Sequence, residues 1–183
     1  MDAPAQQVTL THSTGSGAPV AWLHANDKTP AAAALLAQHF RVLGFTIAHT
    51  TSIPADAIAN TIGPHSEPVG LIADGANAHA ALQFAAARPD LVRALALIAP
   101  AVPDKLPGEF KTPVMALFGT RDAPAHIGRS MREVISGCHV MFVYDTDHDM
   151  ANQRPEAVEA ILREFLTAGD RFLVTSKSSK IYP

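Results

Sequence analysis

VGLIADGANAHAALQFAAARPDLVRALALIAP, residues 69–100, divides by its periodicity into four parts. The apolar run 69–73 reads as a buried strand, 74–76 as a sharp turn, the alanine-rich 77–87 as a helix halted by Pro89, and 93–98 as a second buried strand. Strand, turn, helix and strand in this order make one crossover of a parallel sheet. The turn sits at the carboxyl end of the first strand, where open sheets of this kind bind their ligands.

Working outward, the same alternation recurs. Residues 8–12 alternate like an edge strand entering antiparallel, 20–23 form a buried strand leading into His24, and Thr29 and Pro30 open a helix running to Phe40, with Thr29 as its cap. Residues 41–48 follow as a strand, 54–60 as a short helix stopped near Gly63-Pro64. Beyond residue 98 come a proline-containing loop (100–112), a strand at 114–118, a helix at 127–135, a strand at 140–144 and a loop at 145–154. A last helix starts at Pro155 and runs to about Thr167, with Val158, Ile161, Leu162 and Phe165 on one face. The expected fold is α/β: a doubly wound, mostly parallel sheet flanked by helices on both faces.

The chain has 183 residues, 48% hydrophobic and 17% charged, enough for one sizeable core. One domain is expected over 1–183, with its core at 8–168 and a tail at 169–183. A net charge of −3 with both signs interspersed gives no footprint for nucleic acid or an acidic membrane. No apolar run reaches the roughly 18 residues that span a bilayer, and the polar start lacks a signal-peptide pattern. The lone Cys138 excludes an internal disulfide and reads as a buried packing residue. These features point to a cytoplasmic protein acting on a small molecule, without cofactor or metal.

Three sites in chain order resemble the α/β-hydrolase superfamily. Counting back from Arg88-Pro89-Asp90 places Ala73-Asp74-Gly75-Ala76-Asn77 on the nucleophile elbow G-x-S-x-G, with Gly75 where the serine stands. Gly119-Thr120-Arg121-Asp122 resembles the strand end that carries the triad acid, and His148 precedes Pro155-Glu156 by the interval of the catalytic histidine before the last helix. Leu23-His24 resembles the start of the oxyanion-hole loop. The resemblance implies a minimal, uncapped member: between 98 and 114 there is only a short loop where many members insert a lid.

The departures from the pattern are specific. The nucleophile is absent, which reads as natural loss, glycine relieving the strain that an elbow stores in its backbone. His24-Ala25 replaces a His-Gly oxyanion loop, and Ala73, Asn77 and Ala78 replace small glycines around the elbow. What the resemblance leaves is a His148–Asp122 dyad, in which Asp122 orients His148 to activate water or a substrate proton. The expected pocket comprises His24, Ala25, Asp74, Ala76 and His79. A weak hydrolase or proton-transfer enzyme is one expectation, with serine esterase activity absent or very low. The alternative is a non-catalytic protein that binds a small ligand or a partner, and the open site and apolar tail are compatible with a homodimer. Asp74 offers a different nucleophile by analogy with dehalogenase-like members, its plainer role being a helix N-cap. A metal site from Asp122, His126, Asp147, His148 and Asp149 is a further alternative. For His24 the plainer role is a hydrogen-bonded loop residue, while His126, close after Asp122, is like His79 a candidate to touch the ligand.

Overall fold

Seven strands lie in the order β1-β3-β2-β4-β5-β6-β7 in the computed structural model, which describes residues 8–24, 28–47, 67–105, 111–124 and 126–169. The expected helix at 54–60, Ala25 and the tail beyond Gly169 lie outside the described residues. In chain order the elements are β1 (Val8–Thr14), β2 (Pro19–His24), α1 (Ala31–Leu36), β3 (Arg41–Ile47), β4 (Val69–Asp74), a 3-10 turn (Gly75–Asn77), α2 (Ala78–Ala87), β5 (Val92–Ile98), β6 (Val114–Gly119), α3 (Ile127–Val134), β7 (His139–Val143), α4 (Met150–Gln153) and α5 (Pro155–Ala168). β1 pairs antiparallel with β3, and every other pairing is parallel.

The strands read as continuous apolar runs because both faces of the sheet are covered. Along β2, Val20 and Trp22 join one core while Ala21 and Leu23 join the other. Along β5, Ala94, Ala96 and Ile98 take the first face, Leu95 and Leu97 the second. Leu36 of α1 and Val158, Leu162 and Phe165 of α5 close the first core. Leu82 and Phe84 of α2 and Met131 of α3 close the second. The step from β2 to β3 passes over α1, whereas the steps from β4 to β5 and from β6 to β7 pass over the opposite face. This is the doubly wound arrangement, with its switch point between the carboxyl ends of β2 and β4.

Several elements differ from expectation. α1 ends at Leu36 rather than Phe40, and residues 37–40 close as a turn through bonds such as Gln38 N–H to Leu35 O at 3.0 Å. Thr29 does not cap it: its hydroxyl bonds His12 Nδ1 at 3.1 Å, and the Ala31 N–H is instead satisfied by Asn152 Oδ1 at 2.9 Å. The loop at 145–154 contains α4, and Asn77 belongs to the 3-10 turn rather than to the helix. Cys138 is buried, and burial pushes its thiol up to about 12, leaving it unreactive as expected.

Candidate active site

β4 ends at Asp74 with extended backbone, and the chain then tightens into the 3-10 turn Gly75–Asn77 before α2 begins. Gly75 stands at the tip. Its φ lies outside the left-handed region, so the expected strain at this position is not there. Space, not torsion, demands the glycine: a Cβ here would sit 2.5 Å from the carbonyl oxygen of Ala99. The strained residue is Ala99 itself, at φ 49°, immediately after β5. Its N–H donates to Leu117 O at 2.8 Å, tying the bend to β6. The turn is tied to β2 as well, through the nearly buried Asn77, whose amide donates to Leu23 O at 3.3 Å.

Asp74 faces the other side of the sheet, where its Oδ1 accepts the indole N–H of the fully buried Trp22 at 3.1 Å. That bond replaces the N-cap role expected of it, since its side chain makes no capping hydrogen bond. Trp22 is a core residue, as its strand position implied. Ala76 is exposed on the turn.

Asp122 and His148 meet at the ends of β6 and β7, through the backbone more than through the ring. Asp122 Oδ2 accepts the backbone N–H of His148 at 2.8 Å and lies 3.6 Å from Nδ1. The imidazole is 79% exposed, and Asp147 Oδ1 approaches the same nitrogen at 3.8 Å. Asp147 is itself part of a network that sequence reasoning missed. Gln153 donates to its carboxylate at 2.9 Å and accepts its backbone N–H at 3.0 Å, and Arg121 reaches both Asp147 and Gln153. The Gln153 hydrogen bond, followed by the Asp149 N–H, holds the Asp147 carboxyl below the usual carboxylate range. The 153-to-147 spacing was visible in the sequence, but a glutamine in a loop carries no chemical signature until the loop is folded.

The expected pocket residues separate. A cavity of about 370 Å3 opens beside the tip, between Gly75, Ala78, His79 and Leu82 on one wall and residues 101–105 on the other. Its lining includes Gly75 and His79 but neither His24, Asp74, Ala76, Asp122 nor His148. His79 is exposed and pairs with Gln83 at 3.0 Å. His24 is 1% exposed, sharing a hydrogen bond of 3.1 Å with Thr11 and lying 5.7 Å, ring to ring, from His12. Burial makes it a polar filler at the end of β2. His126 is exposed at the start of α3, and no group of three or more metal-ligating side chains forms among the described residues. No helix of the described residues is long and apolar enough to cross a membrane.

Solved structures place this architecture. A thermophilic esterase from Thermogutta terrifontis, with malate bound, superposes with a TM-score of 0.72 at 16% identity, covering 90% of this chain and 95% of that one. Cfl2 from Burkholderia cenocepacia matches at 0.70 and 14%, covering 90% and 98%, and a putative epoxide hydrolase from Pseudomonas aeruginosa at 0.69 and 14%, covering 93% and 99%. No protein-family profile and no curated protein matches the chain. The chain has the α/β-hydrolase fold. At 14–16% identity the likeness to these structures is one of architecture.

Proposed function

We propose that this protein is a pseudo-hydrolase, an α/β-hydrolase-fold protein that binds a small molecule beside Gly75 without acyl transfer. One observation carries the reading: the tip of the turn is closed to any side chain by the Ala99 carbonyl, 2.5 Å from where a Cβ would stand. A nucleophile cannot be attached there without moving the end of β5. The cavity on the α2 side offers apolar walls from Ala78, Leu82 and Val102 with His79 and Lys105 among its polar groups, a composition suited to a small, weakly polar ligand. The buried lone Cys138 suits a reducing, cytoplasmic setting.

Incubation with short acyl esters should leave no acyl adduct by intact-mass spectrometry and no burst of product. A small-molecule thermal-shift screen should yield ligands whose stabilisation is lost in His79→Trp, which fills the cavity from an exposed lining position. A stoichiometric acyl adduct on the wild-type chain would sink the reading.

A second reading, residual proton transfer by His148, is favoured by the 3.6 Å approach of Asp122 to Nδ1. It requires that any slow turnover vanish in His148→Ala and follow a single ionisation in its pH profile.

A further inference from the structure

Two charges on the wall of the cavity beside Gly75 find no partner among the described residues. Asp104 and Lys105 both line the cavity, neighbours in the chain and opposite in sign, and neither forms an ion pair with the other. They stand on a stiff support. Pro100 and Pro103 fix their own φ and lack an N–H, so the loop that carries the charges has few conformations to choose from. Its root is held where the Ala99 N–H donates to Leu117 O at 2.8 Å. Opposite charges that are preset on one wall, yet unpaired with each other, complement a molecule that carries both signs.

The facing wall adds a donor. Gln83, one turn beyond His79 on α2, brings its amide nitrogen to 3.0 Å from His79 Nε2. An amide nitrogen only donates, so Nε2 accepts, and the neutral imidazole carries its proton on Nδ1. That N–H has no partner among the described residues. The rest of this wall is apolar. Ala78 and Leu82 belong to the core under α2, and Val102 packs against the same core from the loop side.

A neutral molecule would strip water from both charged groups and return nothing. An anion would satisfy Lys105 while facing Asp104, and a cation would do the reverse. A zwitterion meets both. Because the two charges share one wall, the ligand must carry its own charges at one end, leaving the surface around Leu82 to its apolar end. Given that this cavity holds a small molecule, as proposed above, the geometry points to a free α-amino acid with an aliphatic side chain as that ligand. Its carboxylate lies on Lys105 and the His79 Nδ1–H, its ammonium on Asp104, and its side chain against Ala78, Leu82 and Val102. Such a molecule has no net charge, and a cavity of about 370 Å3 is of the size that a small ligand fills.

The test is calorimetric titration of the full chain with L-leucine. L-leucine should bind, and three relatives should each bind more weakly by about tenfold or more: isocaproate, which lacks the ammonium, isoamylamine, which lacks the carboxylate, and ε-aminocaproate, which carries its charges at opposite ends. Lys105→Met should weaken L-leucine by a similar factor and leave isoamylamine unchanged, whereas Asp104→Asn should weaken L-leucine and strengthen isocaproate. Both residues are exposed, so neither change threatens the fold. No binding of L-leucine, binding indifferent to both variants, or ε-aminocaproate binding as tightly as L-leucine overturns the proposal. If isocaproate or isoamyl alcohol binds as tightly as L-leucine, and His79→Trp abolishes that binding, the amino acid is wrong and the small-molecule site stands. L-leucine bound undiminished by His79→Trp would sink the amino acid and the cavity together.

Discussion

Gly75 and Ala99 form a pair in which each explains the other. Ala99 adopts a left-handed conformation that costs an alanine about 1–2 kcal/mol, and its carbonyl consequently presses on the one residue type with no Cβ. Gly75→Ser should therefore lower stability by about 1–3 kcal/mol through overpacking, read as a fall in the urea midpoint, without creating ester turnover. Activity in that variant would mean that the turn relaxes more readily than its contact with β5 implies. At Asp122 and His148 the strong contact is the backbone hydrogen bond, so His148→Ala should leave the unfolding midpoint nearly unchanged. Asp122→Ala should cost about 1 kcal/mol, the ordinary worth of a partly exposed hydrogen bond. Equal losses in the two variants would show that the ring, not the loop backbone, is what Asp122 holds. The place of Gly75 in the chain was legible, because Pro89 fixes the register of α2. Its backbone conformation was not legible, because it is set by a carbonyl on a different strand.

Among elements, the same division holds between what a local pattern announces and what a distant side chain supplies. The start of α1 was legible from Pro30, whose fixed φ suits a helix entrance. Its cap was not. Asn152, on α4, accepts the Ala31 N–H at 2.9 Å while donating to Asp149 at 2.7 Å, so one side chain fastens two helices. α4 escaped sequence reading for a related reason: four residues hold no periodicity, and the segment is helical because Met150 and Ala151 are buried under α1 and α5. Asn152→Ala should destabilise the protein by about 1 kcal/mol, the usual cost of a lost cap, measured as a drop in thermal midpoint. Thr29→Ala should cost less, since its hydroxyl bonds an exposed edge of His12 and no helix end. A larger loss at Thr29 than at Asn152 would reverse that assignment.

For the molecule as a whole, the strongly legible feature was the covering of both sheet faces, because a strand buried on two sides cannot alternate and so announces itself as an unbroken apolar run. That covering also decides how stability responds to acid. Burial, with His24 nearby, holds His12 below the ordinary histidine pKa, and burial with Arg132 nearby does the same to His139. His12 Nε2 finds no hydrogen-bond partner among the described residues, and the ring of His139 packs edge-on to Phe165 at 6.2 Å, so neither site welcomes a second proton. Between those lowered values and the unfolded value of about 6.5, the unfolded chain binds more protons than the native one. Stability should accordingly decline as pH falls through about 6.5 and stop declining, on account of these two groups, once pH is below their native values. Asp147, whose native pKa is lowered, adds a separate loss only in the carboxylate range, as pH falls below its ordinary value toward the native one. Urea midpoints at about pH 7.5 and about pH 5.5 should therefore differ in favour of the higher pH, and His12→Gln with His139→Gln should flatten the difference. Equal midpoints in the wild-type chain would mean that both imidazoles accept protons in the folded state as easily as in the unfolded one, and that the ends of β1 and β7 are wetter than their packing implies.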